Sequence, residues 1–207
     1  MEKLLNLVLQ WGRNKNLIGD NGKATAYSQA LKVREEADEL RQAVRGFTKE
    51  IHKRVPNQAK INHFVEETID AVGDVLVTLI LEADIIGTDV VSCMNDISGR
   101  NFKTFTEAAN DIMDEDVAGS AKRHTYAVSH LGRSLVRMAQ DGRKDLIPST
   151  IGCIAGSLLA FCKQADLRPV DCLQAAYDVI SKRKGLTIDG TFIKFENLTE
   201  EQRKLIA

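Results

Sequence analysis

A chain of 207 residues with 43% hydrophobic and 28% charged residues is long enough to bury a core without disulfides or structural metal. Its net charge of −1 excludes a protein built to coat nucleic acid, and its apolar content excludes a disordered chain. Only three prolines interrupt it, and apolar residues recur at helical spacing, so the expected fold is all-α.

The chain opens with an expected helix over residues 2 to 12. Glu2 and Lys3 precede a short apolar stretch that Gln10 and Trp11 break too early for a secretion signal. No run approaches the roughly 18 apolar residues that span a bilayer. The longest, residues 75 to 81, lies between Asp74 and Glu82, and the expected location is cytoplasmic. A Gly/Asn-rich loop at 19 to 22 leads to a long helix over 26 to 45. A basic, proline-containing connection at 49 to 60 precedes a second long helix over 64 to 85. Gly87 breaks that helix, and Thr88 or Asp89 caps a third that ends near Ser98.

Residues 101 to 119 read as a polar linker with a short helix. Helices follow over 121 to 141, 149 to 166 and 169 to 183, with Pro148 and Pro169 marking two starts. Residues 185 to 194 alternate around two glycines and suggest a tiny hairpin, the one β-like stretch. Cys93, Cys153, Cys162 and Cys172 form no Cys-x-x-Cys pair and sit among apolar neighbours, so they are expected to pack as reduced small hydrophobes. His52, His63, His124 and His130 lie at unmatched spacings and offer no metal site.

The chain also resembles itself. A shift of 82 sets Thr68 and Ile69 on Thr150 and Ile151, Leu76 on Leu158, and Asp89 on Asp171. A shift of 96 lays Leu40, Ala43 and Gly46 over Val136, Ala139 and Gly142. Two tandem helix-pair repeats are expected, with boundaries at 1 to 102, 103 to 184 and a tail over 185 to 207.

Chemistry concentrates in the first repeat. Residues 35 to 39 read Glu-Glu-Ala-Asp-Glu, and spacing i, i+3 puts Glu36 and Glu39 on one helical face with Lys32 a turn earlier. Glu67 and Asp70 repeat that spacing on the next long helix, and Asp74 continues the stripe. Ile69, Val72, Leu76 and Leu79 beside them should be buried, so these carboxylates stand at the edge of a helix interface, where unpaired charge is costly. Two helices that each present two carboxylates offer four oxygen ligands to one hard cation, Mg²⁺ or Mn²⁺. The plain alternative is a solvated stripe paired with Lys32, Arg34 and Arg41.

The pattern Glu35-Glu36-x-x-Glu39 followed by Glu67-x-x-Asp70 resembles the MazG-like all-α nucleoside triphosphate pyrophosphohydrolases, particularly the small versions common in bacteriophages. Supporting elements are Trp11 and Arg13, the Gln29-x-x-Lys32 turn, the run Asp70-Ala-Val-Gly-Asp74-Val-Leu-Val, and the tail from Tyr177 through Arg183-Lys184-Gly185 to Phe192 and Lys194. Between these blocks the chain departs from the short family pattern by some seventy residues, where the degenerate repeat lies. In the aligned second copy Gly132, Leu135, Ser149 and Gly152 stand for Glu36, Glu39, Glu67 and Asp70.

The resemblance implies cleavage of a nucleoside triphosphate between its α and β phosphates, with Mg²⁺ held by Glu36, Glu39, Glu67 and Asp70. It makes Glu35 or Asp74 the group that orients or deprotonates water. Gln29, Lys32, Asn95, Arg100, Arg183 and Lys194 are the expected substrate contacts. Family members commonly form dimers, so the metal-free copy is expected to act as a built-in partner in a pseudo-dimer, with homo-oligomerisation the other option. No nucleic-acid or membrane partner is implied. No Gly-x-x-x-x-Gly-Lys-Ser/Thr loop is present, which disfavours a P-loop ATPase. A nucleotide-binding or interaction protein of weak activity, and a purely structural bundle, remain the rival readings.

Overall fold

Capping chemistry and helical periodicity define most of the elements in the computed structural model, which describes residues 1–114 and 119–204. The expected linker and tail therefore extend, at residues 115–118 and 205–207, outside the described residues. Helix α1 spans Glu2–Asn14. Helix α2 runs over Ala26–Ile51, started by a capping box in which Thr25 and Ser28 each accept the other's backbone N–H. It continues six residues past its expected end, through Gly46, because that glycine serves packing: a β-carbon there would stand 2.3 Å from the Phe64 ring. The buried Glu50 carboxylate accepts from Lys53 and from the Asn57 backbone, closing the short turn into α3.

Helix α3 spans Gln58–Ile85, capped by Asn57, and α4 spans Val90–Ser98, capped by Asp89. Helix α5, Phe105–Asp114, occupies the expected linker. Helix α6, Ala121–Gln140, is capped by Ser120, and a 3₁₀ turn at Lys144–Leu146 leads into α7, Ile147–Gln164. Helix α8, Pro169–Ile180, begins on its proline. The hairpin pairs β1, Gly185–Ile188, with β2, Thr191–Lys194, antiparallel. Asp189 and Gly190 between them both take positive φ, +48° and +76°, as a two-residue hairpin turn requires. A short helix α9, Glu200–Arg203, follows. The described residues are thus mostly helical, as composition predicts.

One hydrophobic cluster runs through the described residues, joining Leu40, Val72 and Leu76 to Leu135, Ile151, Ile154 and Leu158. By length and composition Lys144–Gln164 passes as long and apolar enough to cross a bilayer, an 18-residue window of it having mean hydropathy 1.6, but 61% of that window is buried inside the protein. Run length alone misses this because Ser149, Thr150 and Ser157 interrupt it. The cysteines pack as expected: Cys93, Cys162 and Cys172 are buried and Cys153 half-buried, all free. Burial pushes the Cys93 thiol up to about 12 and Cys172 up to about 11.

The helices contact one another in a pattern that survives exchange. Helix α2 packs on α3 as α6 packs on α7, α3 packs on α8 as α7 packs on α4, and α1 touches α3 and α8 as α5 touches α7 and α4. Helix α2 meets α6 directly. The offset differs from the expected 82. Helix α3 ends at Ile85 and α7 at Gln164, a spacing of 79, and the starts at Val90 and Pro169 repeat it. So do the positive-φ residues Gly87 and Asp166. For α2 and α6 the buried faces agree at 95 rather than 96, pairing Val33 with Val128, Ala37 with Gly132 and Leu40 with Leu135. Identical letters had pulled the alignment away from the register of buried faces. Leu135 thus corresponds to Leu40, not to Glu39.

Candidate active site

Helices α2 and α3 turn their acidic stripes to one cleft of about 270 Å³, whose walls include Glu35, Glu36, Glu39, Asp70 and Asp74. The stripe is legible in heptad terms: Ala37 and Leu40 on α2, and Val72 and Leu76 on α3, go to the core, which leaves the acids at the rim. Gln29, only 3% exposed, donates from its amide to the Thr78 carbonyl at 3.1 Å and ties the two helices at the cleft wall. Lys32 meets Glu35 at 2.6 Å.

The charges are under-compensated. Burial, then the like charges of Asp74, Glu39 and Glu35, push Glu36 up to about 8 against the opposing pull of Lys32. Burial and Asp70 raise Asp74 to about 6, opposed by Arg183 and Lys194. Carboxylates crowded at a half-buried edge bind protons tightly for the same reason they would bind a cation. The donor set is all oxygen, which fits a hard divalent ion such as Mg²⁺ or Mn²⁺ and not a soft one. Among the described residues, no three His, Cys, Asp or Glu side chains close into a ready-made cage; the acids line walls.

The opposite wall comes from the far ends of the chain. Arg183 follows α8, and Gly190, Thr191, Phe192 and Lys194 come from the hairpin, while Trp11 and Leu17 come from α1 and the loop after it. Trp11 meets Phe192 edge to face with centroids 5.7 Å apart, and the Lys15 ammonium lies 5.6 Å from the Phe192 ring. Thr187 donates to the Lys15 carbonyl, and Ser28 donates to the Gly190 carbonyl at 3.4 Å. These bonds clasp the hairpin onto α1 and α2. Arg13 anchors α1 to α3 through Asp84 at 3.0 Å.

Nine expected site residues therefore share one cleft: Gln29, Lys32, Glu35, Glu36, Glu39, Asp70, Asp74, Arg183 and Lys194. Glu67 faces an adjoining groove, where Glu39 and Asp70 form the shared ridge. Its carboxylate lies 3.7 Å from His63. Asn95 and Arg100 lie elsewhere. The Asn95 side chain holds the Phe102 backbone through both its amide and its carbonyl, and Arg100 pairs with Asp111 on α5. Both fasten the turn after α4, so they are corrected from substrate contacts to structural ones. Phe192, Leu17, Val77, Leu81 and Ile180 were not expected in the site; the alternation of β1 and β2 could have flagged Phe192, which stands on the same face as Lys194.

No family model, no curated protein and no solved structure matches this chain.

Proposed function

We propose that the chain hydrolyses nucleoside triphosphates to the monophosphate and pyrophosphate with Mg²⁺ or Mn²⁺. The observation that carries this reading is the single cleft lined by five carboxylates, by Lys32, Arg183 and Lys194, and by the Trp11–Phe192 aromatic pair. Such a lining offers carboxylates to a cation, ammonium and guanidinium groups to phosphates, and rings to a nucleobase. Glu36, Glu39, Asp70 and, from the adjoining groove, Glu67 would hold the ion, which neutralises phosphate charge and acidifies water when bound.

Lys32, Arg183 and Lys194 hold phosphate oxygens through charge-assisted hydrogen bonds. Trp11 and Phe192, packed edge to face, together offer the base one wall. Asp74 feels both the neighbouring acids and the two tail cations and takes a proton from the attacking water, a role for which a raised carboxylate suits neutral pH. The water oxygen bonds to a phosphorus of the α–β bridge, the bridging P–O bond opens, and its electron pair leaves with the departing phosphate oxygen.

The exchange of helix contacts supports a second part of the reading, in which residues 1–102 are the catalytic unit and 103–184 a fused partner in a pseudo-dimer. In the structural register Leu131, Ser134, Leu146 and Ser149 stand for Glu36, Glu39, Glu67 and Asp70. The partner unit thus lacks every expected ligand, and one chain carries one site. Incubating the chain with Mg²⁺ and each common ribo- and deoxynucleoside triphosphate, with pyrophosphate detection, tests the activity. Release of pyrophosphate that Glu39→Gln abolishes is the expected result. No pyrophosphate from any of them overturns the reading and leaves a binding protein.

A further inference from the structure

The hairpin that carries Phe192 and Lys194 cannot hold its own place, since two short strands alone are marginal in water. What it docks on decides where its side chains stand. Alternation puts Thr187, Phe192 and Lys194 on one face, with Thr187 directly opposite Phe192. Thr187 donates to the Lys15 carbonyl, and the Lys15 ammonium lies near the Phe192 ring.

At the tip, Gly190 rests on backbone. A β-carbon there would stand 2.6 Å from the Lys23 carbonyl oxygen and 3.1 Å from the Ala24 α-carbon. That seat is tied down: the Lys23 and Ala24 N–H groups donate to the Asn16 and Leu17 carbonyls. The next residue, Thr25, caps α2, the helix that brings Lys32, Glu36 and Glu39 to the cleft. The tip of one wall is therefore seated at the root of the other. An added methyl group must push the tip outward, and a misplacement of about 1 Å can cost a site up to a hundredfold.

We propose that Gly190 is a positioning residue of the cleft. Seated without a side chain on Lys23 and Ala24, it sets the gap between the acid-bearing helices and the wall that Phe192 and Lys194 form. It acts through those two side chains, and Thr187 is the second point of attachment. The kinetic consequence rests on the nucleotide reading above, whereas the seating rests on the hairpin contacts alone.

Trp11 is the one tryptophan in the chain. Its ring meets Phe192 and its indole N–H is shut off from solvent, so its fluorescence reports the seating without any activity. Gly190→Ala is compared with Gly142→Ala, where φ is +68° against +76° and nothing lies within 4 Å; backbone strain is matched and only the contact differs. In Gly190→Ala, Trp11 emission should shift to the red and acrylamide should quench it more than in the parent. For each triphosphate that the parent cleaves, KM should rise about tenfold or more with kcat little changed, as for lost binding that is uniform along the reaction. The Mg²⁺-dependent rise in Tm should stay, because the acids are untouched. Gly142→Ala should match the parent in emission, quenching and KM. Thr187→Val removes the bond to Lys15, keeps a β-branched strand residue, and should move emission and KM as Gly190→Ala does. A folded Gly190→Ala that matches Gly142→Ala in emission and KM overturns the proposal. If circular dichroism shows Gly190→Ala unfolded, a parent-like Thr187→Val overturns it instead. If the parent releases no pyrophosphate, the nucleotide reading falls by itself and Trp11 quenching decides the seating.

Discussion

Gly73 on α3 lies so close to Cys172 on α8 that a β-carbon would stand 2.3 Å from the Cys172 carbonyl oxygen. Gly152 on α7 repeats the relationship with the Cys93 carbonyl on α4, at 2.2 Å. Backbone cannot step aside as a flexible side chain can. Gly73→Ala and Gly152→Ala should therefore each destabilise the chain by about 1–3 kcal/mol, read from urea denaturation. Gly156→Ala is the control: nothing lies within 4 Å of its β-carbon position, and helix propensity alone makes it neutral to stabilising.

The proposed function divides the acids of the cleft and its adjoining groove into ligands and a base. Glu36→Gln, Glu39→Gln, Glu67→Gln and Asp70→Asn should each lower kcat/KM by about 100-fold or more while keeping the helical signal. Each should also lose the Mg²⁺-dependent rise in Tm, which for the parent corresponds to about 2.7 kcal/mol at a metal concentration 100 times Kd. Asp74→Asn should lose turnover but keep that rise. If Asp70→Asn keeps the rise and Asp74→Asn loses it, the ligand sits at 74 and the two roles exchange.

Glu82 gives a pH dependence that owes nothing to the cleft. Its side chain is 0% exposed, both carboxylate oxygens lack partners, and burial alone pushes it up to about 8 from the usual 4.5. A raised carboxyl keeps its proton in the folded chain after the unfolded chain has lost it. Stability is thus full below about 4.5 and falls as pH rises toward about 8, with a slope of up to about 1.4 kcal/mol per pH unit. Glu82→Gln should remove this component and exceed the parent in stability at pH 8. Parallel stability curves for the two proteins across that window would show that Glu82 titrates normally.

Truncation after residue 102 tests the fused partner. It strips α6 from Val33, Ala37 and Leu40, all fully buried, strips α8 from the Gly73 face of α3, and removes Arg183, Phe192 and Lys194 from the cleft. The fragment should be insoluble or inactive. A soluble fragment with full activity would refute the pseudo-dimer.

Much of this was legible in the sequence because it is local. Asp89, Pro169 and the glycines of the hairpin announce the turns they make, and the spacing of Glu36, Glu39, Glu67 and Asp70 announces an acidic face. What escaped depends on contacts distant in the chain. Gly46 reads as a helix end until Phe64 is seen against it. The true register of the repeat follows which faces are buried, and matching letters such as Thr68 and Thr150 mislead. Glu82 sits in an apolar run with nothing to mark it as uncompensated. Asn95 and Arg100 are expected as substrate contacts on the resemblance alone, and the bonds to Phe102 and Asp111 show that they fasten a turn.

The clasp of the hairpin onto α1 and α2 sets an order of events during synthesis. The carboxylates of α2 and α3 leave the ribosome first, and the cations that face them, Arg183 and Lys194, follow more than a hundred residues later. At 5–20 residues per second that delay is roughly 5 to 20 s. Throughout it the nascent chain carries its acids with Lys32 but without Arg183 and Lys194, and its aromatic wall without Phe192. The cleft is completed only when nearly the whole described chain has emerged, so fragments released by premature termination carry the acidic half without the wall that would hold a phosphate.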